Sequence, residues 1–351
     1  MKITFIIYSL DAGGAERVVS ILANIFSKKH DIEVIVFSNA PAFYTLSPKV
    51  RIKIVEYKKA KKFPLKSWRD SYSRISALKK LFATRKSHVF ISFTTVMNIY
   101  SIIANISLNR KLIISERTDP KAHKLIPIII LLRNLLYQLA DKLVVQNNAQ
   151  HDYFIKKVKE NKLVIINNPI EKISPNSSVD DKVHIVNIGR LTEQKNQFAL
   201  IDAFINANLM CNLYILGDGP MKTHLEEYIF KNNMQNRIHL VGLQKDVYKY
   251  LKSDWIFAST SNYEGFPNAL IEAMNSGLAC IHYDCPTGIG EIIQDEVNGC
   301  LIPMNQNKIF SSKLKELYND KAKRNLIGFN ARNSVQKLQV ENIANEWLKI
   351  L

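Results

Sequence analysis

Ser261-Asn262-Tyr263-Glu264-Gly265-Phe266-Pro267-Asn268-Ala269-Leu270-Ile271-Glu272-Ala273-Met274 sets two carboxylates eight positions apart across the start of a predicted helix. The Gly265-Phe266-Pro267 turn runs into an apolar face of Leu270, Ala273 and Met274, which places Pro267 at or near the first helical position. Glu264 then lies on the loop and Glu272 one to two turns inside the helix. Backbone N–H groups at a helix start, here those of Phe266, Asn268 and Ala269, favour an anion such as a diphosphate. Carboxylates repel that anion, so Glu264 and Glu272 suit the neutral hydroxyls of a sugar or ribose. A helix-capping pair that holds no ligand is the alternative reading.

Outward from this segment, short apolar runs alternate with helix-period stretches. In the first half the expected strands are Ile3 to Tyr8, Glu33 to Phe37, His88 to Phe93, Lys111 to Ser115, Lys142 to Gln146 and Lys162 to Ile166. A helix from Ala15 turns Val18, Leu22, Ile25 and Phe26 inward. Residues 171–182, rich in Pro, Ser, Asn and Asp, break the rhythm and read as a linker. A second series has strands at Val183 to Ile188, Asn212 to Leu216, Arg237 to Val241, Trp255 to Ala258 and Ala279 to Tyr283. The pattern is βαβ repetition, an α/β protein with two doubly wound, Rossmann-like parallel-sheet domains facing across a cleft. The expected division is 1–170, a linker, 183–335, and a C-terminal helix in 336–351 that packs back on the first domain.

In such sheets ligands bind beyond the carboxyl ends of strands. The first strand empties into a loop with Gly13-Gly14 ahead of a helix, where backbone can approach a phosphate or sugar closely, or simply turn. The strand ending at Ile188 leads into Gly189-Arg190-Leu191-Thr192-Glu193-Gln194-Lys195-Asn196. Arg190 offers a fork for two phosphate oxygens and Lys195 a compact charge for the other phosphate of a leaving diphosphate. Gly217-Asp218-Gly219-Pro220 and Gly242-Leu243 also follow strands and are candidate walls for a nucleotide base.

The net charge of +17 is unevenly placed: residues 1–170 hold 29 Lys and Arg against 11 Asp and Glu, and the remainder 19 against 20. A basic first half suggests a polyanionic surface as partner, a membrane leaflet or a nucleic acid. The densest cluster carries Lys58, Lys59, Lys61 and Lys62 with Phe63 and Trp68 interleaved, which suits a lipid interface better than a nucleic-acid groove; a solvated loop is the alternative. The longest apolar run, Leu125 to Leu132, has eight residues and ends at Arg133, too short to span a bilayer. Four cysteines without Cys-x-x-Cys spacing or a nearby His pair read as reduced cytosolic thiols with no metal.

Together, GGAERV near the start, GRLTEQKN, LGDGP, Val241-Gly242 before a short helix, and EGFPNALIEA resemble, in order and spacing, the retaining glycosyltransferases of family 4, which have the GT-B fold. The resemblance implies that Arg190 and Lys195 bind the donor diphosphate, Glu264 the transferred sugar and Glu272 the ribose hydroxyls. Backbone around Gly265, Phe266, Pro267 and Asn268 would line the same pocket, with Gly242 and Leu243 as walls and Gly13 and Gly14 closing it from the other domain. It also implies no cofactor and no metal, the two cations and the helix dipole taking that task. Several relatives place a histidine where this chain has Ser115-Glu116-Arg117-Thr118-Asp119-Pro120, so Glu116 or Arg117 takes over a sugar or acceptor contact, or the contact is absent. ISERTDP with GGAERV looks most like bacterial enzymes of cell-surface polysaccharide or lipid-linked oligosaccharide synthesis. The expectation is a hexosyl or N-acetylhexosaminyl transferase that uses a UDP-sugar and a lipid-linked glycan acceptor, bound peripherally to the anionic inner face of the cytoplasmic membrane. A sugar-nucleotide epimerase of the same fold and a basic nucleic-acid-binding protein are the rival readings.

Overall fold

The computed structural model describes residues 1–57, 66–121, 125–174, 182–286 and 288–351, without the side chains of 66–68. The chain forms two compact units, Met1–Pro169 with Val340–Leu351, and Ile170–Gln339.

Unit 1 contains β1 (Lys2–Ile6), α1 (Gly14–Phe26), β2 (Asp31–Val36), β3 (Val50–Ile54), α2 (Lys66–Thr84), β4 (Val89–Phe93), α3 (Thr95–Asn105), β5 (Leu112–Ser115), α4 (Pro127–Leu136), β6 (Lys142–Val145), α5 (Asn148–Phe154) and β7 (Leu163–Ile165). The strands form one parallel sheet in the order β3-β2-β1-β4-β5-β6-β7. Their alternation with helices demands this: a parallel neighbour is reached only by a crossover, and helices on both faces bury both sides of the strands. Phe5, Phe90, Ile91, Ile113 and Val144 are fully buried. Strand β3, VRIKI, has four of five residues exposed and carries Arg51 and Lys53. It is an edge strand whose charge discourages further pairing, and it lacks the apolar run by which the others are read.

Unit 2 contains β8 (Ile185–Ile188), α6 (Gln197–Ala207), β9 (Leu213–Leu216), α7 (Lys222–Lys231), β10 (Ile238–Gly242), β11 (Ile256–Ser259), α8 (Asn268–Asn275), β12 (Ala279–Tyr283), β13 (Cys300–Ile302), α9 (Asn307–Asn319) and α10 (Lys321–Ser334). Its parallel sheet runs β10-β9-β8-β11-β12-β13. In both sheets the order reverses once, between β1 and β4 and between β8 and β11. Those are the switch points where loops leave in opposite directions and open a crevice. The ladder between β8 and β11 has only two residue pairs, Ile256 with Ile185 and Phe257 with Val186. Beyond them the Asn187 side chain donates to the Ala258 carbonyl at 2.7 Å, holding the strands where the backbone ladder stops.

The last helix, α11 (Val340–Leu348), belongs to unit 1. Its Trp347 is fully buried with the Phe93 ring 6.0 Å away, and the Arg117 guanidinium lies over both rings, 5.1 Å from the Phe93 centroid and 5.8 Å from that of Trp347. A cation beside two neighbouring aromatic rings thus links the end of β4, the loop after β5 and the chain's final helix. Trp347→Ala should cost about 3 to 5 kcal/mol. Hydrogen exchange should then show α11 losing protection before the sheet; equal loss across unit 1 would mean that α11 is not held mainly by this contact.

Candidate active site

The switch point of unit 2 brings together the two segments that the sequence marks as candidates for the chemistry. Lys195, in the loop after β8, donates to both carboxylate oxygens of Glu264, in the loop after β11, at 2.7 and 2.9 Å. The Glu264 side chain is 6% exposed and that of Lys195 21%. Four further contacts fasten the same loops: Asn262 N to Gln194 O, Asn262 Nδ2 to Glu193 O, Gln194 Nε2 to Tyr263 O, and Thr260 Oγ1 to Asn196 O, all between 2.8 and 2.9 Å. Asn196 itself is left-handed, with φ 48°, which ends the loop and starts α6.

Two glycines make this stacking possible. A Cβ on Gly217, where φ is 142°, would come within 2.0 Å of the Gly189 carbonyl oxygen, and one on Gly219 within 2.4 Å of that of Leu191. The loop after β9 therefore lies backbone on backbone against the loop after β8. Gly189 in turn leaves room for the Lys195 stem, whose carbons would stand 3.2 to 3.3 Å from an added Cβ. Arg190 is exposed at the same strand end, and its carbonyl accepts from Gln197 Nε2 at 3.1 Å. Gly242 has φ 78° with open space around its Cα, and Leu243 is 51% exposed.

Helix α8 begins at Asn268 with Pro267 as its cap residue, so Glu264 is on the loop and Glu272 in the second turn, 4% exposed. The Asn268 N–H donates to the Phe266 carbonyl at 2.9 Å within the turn. Phe266 is buried.

Sequence reasoning missed His282. It lies in β12, 1% exposed, with Nδ1 2.6 Å from the Tyr283 carbonyl oxygen. A carbonyl only accepts, so Nδ1 carries the proton and Nε2 of the neutral ring is an acceptor. Burial holds the imidazole below its ordinary pKa, against the pull of nearby Glu264, while Lys195 adds to the lowering. A lone histidine in an apolar strand gives no sequence signal; only the sheet sets it behind the ion pair.

Unit 1 distributes its predicted residues differently. Gly13 caps α1 in an extended conformation, and the Glu16 carboxylate lies where a Cβ of Gly13 would stand, 2.1 Å from that point. Glu116 is fully buried, and its carboxylate accepts from Thr95 Oγ1, Thr118 Oγ1, the Arg117 N–H and Tyr137 Oη at 2.8 to 3.0 Å. Three hydroxyls and a backbone N–H of the protein thus meet this carboxylate. Arg117 is 8% exposed, bonds Asn168 Oδ1, and is drawn down to about 9 by burial although Glu116 opposes the shift. Between these elements Thr94, at the end of β4, holds φ 74°, a strained angle for a β-branched residue, at the switch point of this sheet. Lys58, Lys59, Lys61, Lys62 and Phe63 lie outside the described residues, and so does the side chain of Trp68, whose backbone is in α2.

The buried neutral His282 makes unit 2 sensitive to acid. Below the ordinary value of 6.5 the unfolded chain binds a proton that the folded ring refuses, so stability falls as pH drops from there toward the lowered folded value. The slope contributed is up to ~1.4 kcal/mol per pH unit. Urea unfolding at a series of pH values should show it, and His282→Gln should flatten that part of the profile; an unchanged slope would place the proton elsewhere.

Comparison with known proteins agrees with both halves. Residues 12–172 match the family described as Glycosyltransferase Family 4, and residues 169–334 the family Glycosyl transferases group 1. The chain is 30% identical over 358 aligned residues, covering 100% of it and 98% of the relative, to a Campylobacter jejuni protein named as the alpha-1,4-N-acetyl-D-galactosaminyltransferase of GalNAc-alpha-(1->4)-GalNAc-alpha-(1->3)-diNAcBac-PP-undecaprenol. A second Campylobacter jejuni protein, N-acetylgalactosamine-N,N'-diacetylbacillosaminyl-diphospho-undecaprenol 4-alpha-N-acetylgalactosaminyltransferase, is 28% identical over 92% of this chain and 94% of its own. Among solved structures, Anabaena HepE in complex with UDP-glucose superposes with a TM-score of 0.83 at 19% identity over 100% of both chains. The paired parallel sheets, the Lys195–Glu264 junction and these likenesses converge: the chain belongs to glycosyltransferase family 4 and is a glycosyltransferase of GT-B fold.

Proposed function

We propose that this enzyme transfers a hexose or N-acetylhexosamine from a UDP-sugar to a lipid-linked glycan, with retention of the anomeric configuration, at the anionic inner face of the cytoplasmic membrane. The observation that carries the reading is the junction of Lys195 and Glu264 at the unit 2 switch point, with exposed Arg190 beside it. The donor's diphosphate takes the cationic strand end, Arg190 by its fork and Lys195 as a point charge, so that negative charge developing on the leaving phosphate is met as the glycosidic bond breaks. Glu264 positions the sugar hydroxyls and Lys195 together. Glu272, buried in the second turn of α8, takes the ribose hydroxyls. A front-face displacement fits: acceptor oxygen attacks from the side of the leaving group, and a phosphate oxygen receives its proton. Two cations at the leaving group supply the charge for this without calling on a metal. UDP and a lipid-linked acceptor are supported by the names of HepE's ligand and the Campylobacter relatives' substrates. The basic character of residues 1–170 supports the membrane.

Thermal melts with UDP- and GDP-sugars, followed by transfer assays on undecaprenol-linked glycans, test the proposal; stabilisation by GDP-sugars alone, or conversion of the sugar without acceptor, overturns it. Arg190→Ala or Lys195→Ala should lower turnover about 10²- to 10³-fold, the effect of losing one preorganised donor. Lys195→Ala also leaves Glu264 without its buried counter-charge, at about 3 kcal/mol of stability. The double variant Lys195→Ala/Glu264→Gln should regain stability but not activity, and a double variant as active as the parent would remove both residues from the chemistry.

Glu272→Gln keeps the side chain's shape and loses its charge, so UDP should bind more weakly by roughly 1.5 to 3 kcal/mol. A 2′-deoxyribose analogue should lose little further in that variant, as titration calorimetry can read. If the deoxy penalty is the same in variant and parent, Glu272 does not touch the ribose.

A further inference from the structure

Helix α4 is apolar on two faces, where a surface helix of a soluble domain has one apolar stripe. Ile129, Leu132 and Leu136 pack on the core of unit 1. Arg133 is buried with them and donates to Tyr153 Oη at 2.6 Å. On the other face Ile128, Leu131 and Leu135 are 38%, 51% and 54% exposed, and the row continues to Leu139 at 56% in the short 3-10 turn that follows. Ile126, just ahead of the helix, is 63% exposed. Steps of three and four residues put this row on one side of the helix. Gln138 is the single exposed polar residue from 126 to 139, and the sequence from Lys121 to Ala140 contains no Asp or Glu.

The area and the charge around the row say what covers it. The five side chains expose on the order of 450 Å² of apolar surface, as large as the largest patch on a typical monomer and often functional at that size. That is well short of the ~800 Å² per partner that a stable protein interface buries. Cations stand at both ends. Lys121 is exposed before the helix, and Lys162 Nζ donates to the carbonyls of Gln138 and Ala140, beside Leu139. Lys142 follows the turn. A second copy docked on the same face would bring like charges together, whereas an anionic leaflet complements both the cations and the apolar row.

We infer that α4 is the membrane-docking element of this enzyme, lying in the interface of an anionic leaflet with Ile128, Leu131, Leu135 and Leu139 among the acyl chains and Lys121, Lys142 and Lys162 at the headgroups. This rests on the proposed lipid-linked acceptor, which requires the enzyme to work at the bilayer surface. It assigns docking to an element distinct from the Lys58–Arg69 cluster. Among the described residues no helix is long and apolar enough to cross a membrane, so α4 lies on the bilayer rather than through it.

The test is sedimentation of the full chain with phosphatidylcholine vesicles, with and without phosphatidylglycerol, in the absence of sugar donor or acceptor. The parent should pellet with the anionic vesicles, and Ile128→Gln/Leu131→Gln/Leu135→Gln should lower that binding about tenfold, with an unchanged thermal melt. Leu135→Trp, which keeps the apolar character, should still bind and should be quenched by brominated acyl chains. A parent that binds no vesicle, a triple variant that pellets like the parent, or a parent dimer in sedimentation velocity that the triple variant dissociates would each overturn the inference. Because no sugar is present, these outcomes are independent of the proposed activity. That activity is read separately from the triple variant's turnover of a water-soluble acceptor, which should equal the parent's.

Discussion

A carboxylate taken out of water must be met by a cation or by several hydrogen-bond donors, because the desolvation of an ionised group costs several kcal/mol. In unit 2 that requirement couples Glu264 to Lys195, and the coupling organises the site. The two residues come from loops that leave neighbouring strands at the reversal of strand order, so the ion pair closes a crevice that the sheet topology opens. The other loop-to-loop hydrogen bonds then fall into register around it, and Gly217 and Gly219 let a third loop approach without a side chain between. His282 lies behind the pair, neutral because it is buried.

Unit 1 answers the same requirement differently. Glu116 is more deeply buried than Glu264, yet Thr95, Thr118, Tyr137 and a backbone amide satisfy it. Hydroxyl donors meet a carboxylate without a counter-charge, whereas a lysine neutralises it. The two glutamates thus differ in the donors that meet them, hydroxyls and an amide at Glu116 and a lysine at Glu264. Raised thiol pKa values tell a similar story for the cysteines: burial pushes Cys211 and Cys300 up to about 12, which makes them packing residues.

Arg117 shows how one buried cation can serve the architecture. In reach of both the Phe93 and Trp347 rings, it fastens α11 to the sheet of unit 1, although 170 residues of the other unit intervene in the chain from Ile170 to Gln339. Helix α4 is the opposite case, an apolar face that stays exposed among the described residues. The first follows from the rule that apolar surface gains by leaving water.

The sequence by itself determined the α/β class, the βαβ alternation, most strand positions, the loops that hold Arg190, Lys195 and Glu264, and the helix that holds Glu272, because each is written in local periodicity or in a motif a few residues long. It did not show β3, whose exposed, charged edge has no apolar run, or β13, which is only three residues long. Nor did it show the Glu264–Lys195 contact, whose partners are 69 residues apart, the neutral His282 behind it, or the burial of Glu116. Those depend on which strands become neighbours and which side of the sheet a loop leaves from. Desolvation and long-range pairing are properties of the folded packing, so only the tertiary structure decided which carboxylate is met by hydroxyls and which by a lysine.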